Sequence, residues 1–162
     1  DPIGMRNAVV RVSEIENDPH YGKSYVLNGR GSPVEADSED FDGDSLAPSG
    51  TLKVNVHEMA LYLSTQLNYG QPPNGTRVVS EKNLTETWKP DLENYGMGWE
   101  VKEYQGLELI THEGSFDNYL SVIGFMPENN FGFVILTNSE EASERLIAES
   151  PTFLIDLFLK EQ

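Results

Sequence analysis

Two stretches of the chain carry apolar residues three and four positions apart, and between them the spacing drops to two. Asn55 and Glu58 have capping-box spacing with Asn as the cap, and Met59, Ala60, Leu63 and Leu67 then share one helical face. Gly70 follows as the stop, so a helix is predicted over this segment. A shorter helix is predicted from Ser80 to about Trp88, ahead of Pro90. From Gly96 onward Met97, Trp99 and Val101 alternate with small or polar residues, and Leu107–His112, Tyr119–Met126 and Phe131–Thr137 follow as β-rich runs. Gly106 and Pro127-Glu128-Asn129-Asn130 supply turns between them, which predicts an antiparallel meander. The run Phe131–Leu136 is apolar on both faces and is expected to be an interior strand.

After Asn138 the helical spacing returns. Ser139 is a cap candidate, Leu146 and Ile147 are expected to face inward, and Ser150-Pro151 is expected to restart a final helix carrying Phe153, Leu154, Leu157 and Phe158. Residues 1–34 are punctuated by Gly and Pro and predict loops and short extended pieces. Ala47-Pro48-Ser49-Gly50-Thr51 reads as a turn. The segments are therefore 1–46 loop-rich, 47–95 helical, 96–138 antiparallel strands and 139–162 a C-terminal helix packed back on the sheet. This is an α+β arrangement.

Composition narrows the chemistry. The 162 residues suit one core, and a formal charge of -16 with no basic run argues against nucleic acid or an anionic membrane as partner. With no cysteine there is no disulfide, thiolate metal site or Cys nucleophile. No stretch approaches the length of a membrane span; Phe153–Leu159 is short and broken by Asp156. The first residue is Asp1 and no leader-like segment precedes the fold, so the chain is expected to be cut from something longer.

Six carboxylates fall between Glu35 and Asp44, a run that favours a solvated acidic loop. Ser38, Asp40, Asp42 and Gly43 match the first, third, fifth and sixth positions of an EF-hand, but Ser49 stands where the bidentate Glu belongs. The EF-hand is rejected, and loose divalent binding stays open. His57, in the first turn of the predicted helix, reads as a surface histidine, because no second ligand stands at metal spacing on its face. No metal site or cofactor is assigned.

One constellation rises above this background: His112-Glu113-Gly114-Ser115 at the end of a strand, preceded by Tyr95-Gly96-Met97-Gly98-Trp99. A Gly there lets a substrate approach the backbone, and the N–H after it can face a developing oxyanion. Taken one at a time, the residues have plainer readings. His112 alone fits a core or rim histidine, Ser115 lacks a nucleophile elbow, and Tyr69, Tyr95, Trp88 and Trp99 read as structural.

The order of short motifs is more specific. Pro2-Ile3-Gly4-Met5, Ala47-Pro48-Ser49-Gly50, Gln66-Leu67-Asn68-Tyr69-Gly70, Tyr95-Gly96-Met97-Gly98-Trp99, His112-Glu113-Gly114-Ser115, Phe125-Met126-Pro127-Glu128-Asn129 and Val134-Ile135-Leu136-Thr137-Asn138 resemble the second half of the serine β-lactamase and penicillin-binding-protein-like family. Class C-type esterases, D-aminopeptidases and β-lactamase-related hydrolases look nearest, over nearly the whole chain. The resemblance implies a β-lactamase/transpeptidase-like fold, seen in part, whose nucleophilic serine and lysine lie on an upstream S-x-x-K helix and whose tyrosine lies in an upstream Y-x-N loop.

By the same resemblance His112-Glu113-Gly114 stands at the third motif, K-T-G in many members and H-x-G in the esterase-like branch. His112 would then orient the substrate's acyl-side polar group or the upstream tyrosine, Gly114 would keep the strand clear, and the Ser115 N–H would be one oxyanion donor. Tyr119 would join His112 in holding substrate. Glu113 points the other way by strand alternation and receives no role.

No Ser in this sequence has Lys three residues on, and no Tyr has Asn two residues on. Acyl-enzyme chemistry of the family's type therefore needs residues from outside it. The leading expectation is the C-terminal half of a hydrolase acting on an ester, β-lactam or D-amino-acid amide, inert alone. A non-catalytic domain that keeps the cleft for a small ligand or peptide is the alternative, and an acidic interaction domain the plainest third. The resemblance also implies that Phe131–Thr137 pairs with an N-terminal strand lying outside this chain. The expected partners are a small acyl substrate and either that missing half or a second copy at the exposed strand edge. Many such relatives are exported. The sequons Asn74-Gly75-Thr76 and Asn83-Leu84-Thr85 bear on this only in a eukaryotic secretory setting.

Overall fold

The computed structural model describes residues 2–15, 18–37 and 47–161. Most of the acidic run, from Ser38 to Asp44, with its suggested cation binding, lies outside the described residues. Along the chain come β1 (Tyr25–Leu27), β2 (Pro33–Glu35), a one-turn helix α1 (Ala47–Gly50) where a plain turn was expected, α2 (Val56–Leu67) and α3 (Glu81–Trp88). Then follow β3 (Glu100–Tyr104), β4 (Leu107–Phe116), β5 (Tyr119–Met126), β6 (Phe131–Thr137) and α4 (Glu140–Lys160). β1 and β2 form a two-stranded sheet, and β3-β4-β5-β6 a four-stranded meander in sequence order. The order of helices, meander and terminal helix is the α+β arrangement expected.

Short turns generate the meander. Gln105-Gly106 and Asp117-Asn118 take positive φ throughout (53°, 79°, 49° and 64°), the conformation that closes two-residue hairpins with the strand twist. Asp117-Asn118 went unread in the sequence, although Asp and Asn both tolerate that region. After β5 a 3₁₀ turn over Pro127–Asn129 ends on left-handed Asn130, φ 48°, and returns the chain into β6.

The residues cluster into two compact units. The first comprises Asp1–Asn7, Asn55–Glu113 and Val122–Val134; the second comprises Ala8–Val54, Gly114–Ser121 and Ile135–Gln162. Strands β4, β5 and β6 each contribute residues to both.

The first unit holds the aromatic core. Phe125, fully buried, receives Trp88 and Trp99 edge-on, at 5.2 Å and 5.1 Å between ring centroids. The Trp88 indole N–H donates to Gln66 Oε1 at 3.1 Å, so the polar edge of the ring is satisfied inside the core. Leu63, Leu84, Ile110 and Ile123 close the cluster. On α2 the Asn55 side chain accepts from the Glu58 N–H at 3.0 Å, as its spacing predicts. The Glu58 carboxylate does not reach back to complete the box; it is buried and accepts from the Asn7 N–H at 2.6 Å. The packed face runs through Met59, Tyr62, Leu63 and Gln66, and Ala60 lies off this stripe and is exposed.

β6 corrects another expectation. It ends the sheet order, with β5 its neighbour among the described residues, so it is an edge strand of this chain and not an interior one. Its two-sided apolar character has a different source: α2 lies directly on its backbone, and a Cβ at Gly132 would come within 2.9 Å of the Leu63 methyls. Phe133 fills the opposite face and is buried.

In the second unit α4 packs against β1, and the Tyr25 N–H donates to the Asn138 carbonyl at 2.8 Å. α4 is one helix of 21 residues with Pro151 inside it, not two pieces. Ile147 and Ile155, eight residues apart on one stripe, are both buried, and anchoring on each side of the proline holds the helix through the lost backbone bond. Leu146, Phe153 and Leu157 are exposed, against the inward orientation expected for Leu146. Ser139 occupies the cap position but makes no side-chain cap bond; the Asn118 carbonyl takes the Glu140 N–H at 2.8 Å instead.

Candidate functional site

β4 is longer than its sequence suggested and runs on to Phe116, so His112-Glu113-Gly114-Ser115 lies inside a strand and not at its end. The pairing register with β3 decides what that segment offers. Tyr104 faces Leu107 across the two-residue turn, and the register ends with Glu100 opposite Thr111. Such a turn makes its flanking residues a hydrogen-bonded pair, and pairs of that kind recur at every second residue. Thr111 therefore points its backbone groups toward β3. Glu113 and Ser115 point theirs to the same edge, past the last β3 pair.

Side chains alternate in the other sense. His112 and Gly114 share one face of β4, with Glu113 and Ser115 on the other. His112 is exposed, and its Nδ1 lies 3.4 Å from the Tyr95 hydroxyl, both groups in the first unit. Tyr95 is a functional candidate that the sequence reading set aside as structural. Its signal was the Tyr-Gly-Met-Gly-Trp string, in which Trp99 is core while Tyr95 and Met97 remain 46 % and 69 % exposed. Trp88 and Trp99 both lie in the aromatic core.

In the second unit a Cβ at Gly114 would approach the Ser121 hydroxyl to 3.1 Å, and that hydroxyl donates to the Gly114 carbonyl at 3.3 Å. A larger residue at 114 would have to displace Ser121. Ser115 has an exposed side chain. Tyr119 donates its hydroxyl to the Gly22 carbonyl and packs near Tyr21, with ring centroids 6.4 Å apart. Burial first, and then the neighbouring Tyr21 hydroxyl, push the Tyr119 phenol above its ordinary range, so it is a neutral donor already engaged with backbone.

His57 is exposed at the start of α2. Among the described residues no group of three His, Cys, Asp or Glu could hold a metal ion, and no helix is long and apolar enough to cross a membrane.

The Beta-lactamase family model matches residues 1–151. Protein flp of Staphylococcus aureus (strain MW2) is 26% identical over 160 residues, covering 96% of this chain and 30% of that protein. Among solved structures, the octameric penicillin-binding protein homologue from Pyrococcus abyssi superposes with a TM-score of 0.66 at 26% identity, over 85% of this chain and 31% of that one. The D-amino acid amidase from Ochrobactrum anthropi SV3 gives 0.64 at 20% identity, over 85% of this chain and 40% of that one. The chain thus spans less than half the length of these relatives. With the family model covering nearly every residue and the penicillin-binding-protein and amidase folds superposing on the same architecture, the chain belongs to the β-lactamase family.

Proposed function

We propose that this chain is the C-terminal part of a serine hydrolase that cleaves an ester, a β-lactam or a D-amino-acid amide through an acyl-enzyme, and that it supplies one wall of the cleft. The observation that carries the reading is the register of β4: Ser115 aims its N–H to a strand edge past the last β3 pair, three residues after the exposed His112. When a nucleophile from outside this sequence attacks the acyl carbonyl, negative charge builds on the oxygen, and a fixed N–H at that edge stabilises it. One such donor contributes about 3 kcal/mol to the transition state. His112 holds the acyl-side polar group, and Gly114 keeps the face beside it free of a side chain.

The chain has no serine or tyrosine in the S-x-x-K or Y-x-N setting, so it is inactive by itself. The remaining part of the protein, or a second copy, covers the β6 edge, which ends the sheet order.

The test compares the whole protein with this chain on a chromogenic cephalosporin, a short-chain nitrophenyl ester and D-phenylalanine amide. The whole protein should turn over one of them, and His112→Ala should lower kcat/KM by about ten- to a hundredfold, as expected for a bond to a charged or developing-charge group. The chain alone should turn over none. Failure of the whole protein on all three, or turnover by the chain that Ser115→Ala abolishes, would overturn the reading.

A further inference from the structure

We infer that Tyr95 is a positioning residue for His112: its hydroxyl donates to Nδ1 and fixes the ring as the tautomer that presents Nε2–H outward as a donor. Their contact, 3.4 Å between Tyr95 Oη and His112 Nδ1, joins residues 17 apart in sequence through side chains alone. A neutral imidazole has one N–H and one lone pair, and the partner at one nitrogen decides which role the other plays. An acyl carbonyl or carboxylate only accepts. A histidine that holds such a group through Nε2–H accepts at Nδ1, where a phenol O–H can donate. The purpose of that donor rests on the hydrolase reading above; the tautomer itself does not.

The loop is built to keep Tyr95 in place. Its N–H donates to the Leu92 carbonyl and its carbonyl accepts from the Asp91 N–H, both at 3.0 Å. The next residue, Gly96, sits so close to the end of α3 that a Cβ there would lie 2.7 Å from the Thr87 carbonyl oxygen and 2.8 Å from that of Lys89. Only glycine fits, and the backbone cannot swing away. Tyr95 is 46 % exposed while Trp99, four residues on, is 6 % exposed, so its hydroxyl stands at the surface where His112 is also exposed.

The experiment uses the whole protein labelled with ¹⁵N-histidine, with the His112 signals identified by their loss in His112→Gln. The wild type should show His112 protonated at Nε2 and bare at Nδ1, and Tyr95→Phe, which keeps the ring, should release a mixture of tautomers. In kinetics Tyr95→Phe should lower kcat/KM about fivefold, the net value of one hydrogen bond, and should cost nothing further in a His112→Ala background. A wild-type ring protonated at Nδ1, or an equal loss from Tyr95→Phe in both backgrounds, overturns the inference. Should the protein hydrolyse no acyl substrate, the functional reading falls, while the change of tautomer on Tyr95→Phe, which needs no activity, still decides the role of Tyr95.

Discussion

The two compact units bury their apolar residues very differently. Among the described residues every buried hydrophobic side chain except Ile147 and Ile155 belongs to the first unit, where Phe125, Trp88 and Trp99 interlock. The second unit spends a 21-residue helix on those two isoleucines and leaves Leu146, Phe153 and Leu157 in water. A core of interdigitated rings is complete with the residues present. A helix with three large apolar side chains exposed leaves apolar surface that its own unit does not cover.

Truncating the central ring of the first unit should have the largest effect. Phe125→Ala should cost about 3–5 kcal/mol in urea unfolding of the chain, because the cavity it leaves is walled by two tryptophans that cannot both collapse into it. A loss under about 1 kcal/mol would mean that the first unit is as loose as the second. Next comes the α2 cap: Asn55→Ala should cost about 1 kcal/mol, since the Glu58 N–H loses its acceptor beside a buried carboxylate.

The smallest effect belongs to the second unit. Phe153→Ala should change the stability of the chain alone by less than about 0.5 kcal/mol. In the whole protein it should cost several times more if α4 is covered there. Light scattering of the chain alone tests the other route: association that Phe153→Ser and Leu157→Ser suppress would identify a second copy as the cover. A monodisperse monomer with the β6 edge unpaired would dismiss self-association.

The same contrast explains what could be read from the sequence. Asn55, Glu58 and Ser80 announce helix starts because capping is local, and the Asn55 and Ser80 side chains accept the N–H groups their spacing predicts. Period-two alternation located the strands for the same reason. Features set by long-range packing were not legible. Pro151 looked like a break because nothing local reveals that Ile147 and Ile155 are anchored on either side of it. Phe131–Leu136 looked interior because apolar residues on two faces do not distinguish a flanking helix from a flanking strand. Within the site, His112 stood out by motif, whereas Tyr95 emerged only when a 17-residue separation closed to hydrogen-bonding distance.

The register that ends at Thr111 also sets a rule of parity for this part of the chain. Which edge the Ser115 N–H faces depends on whether the number of residues from Leu107 is even or odd. One residue added or removed between Leu107 and His112 would turn the Ser115 N–H to the opposite edge and carry the His112 ring to the other face, with every downstream residue unchanged in identity. Two residues would restore both. The strand can therefore lengthen or shorten only in even steps, a constraint on inherited insertions that the motif letters alone do not express.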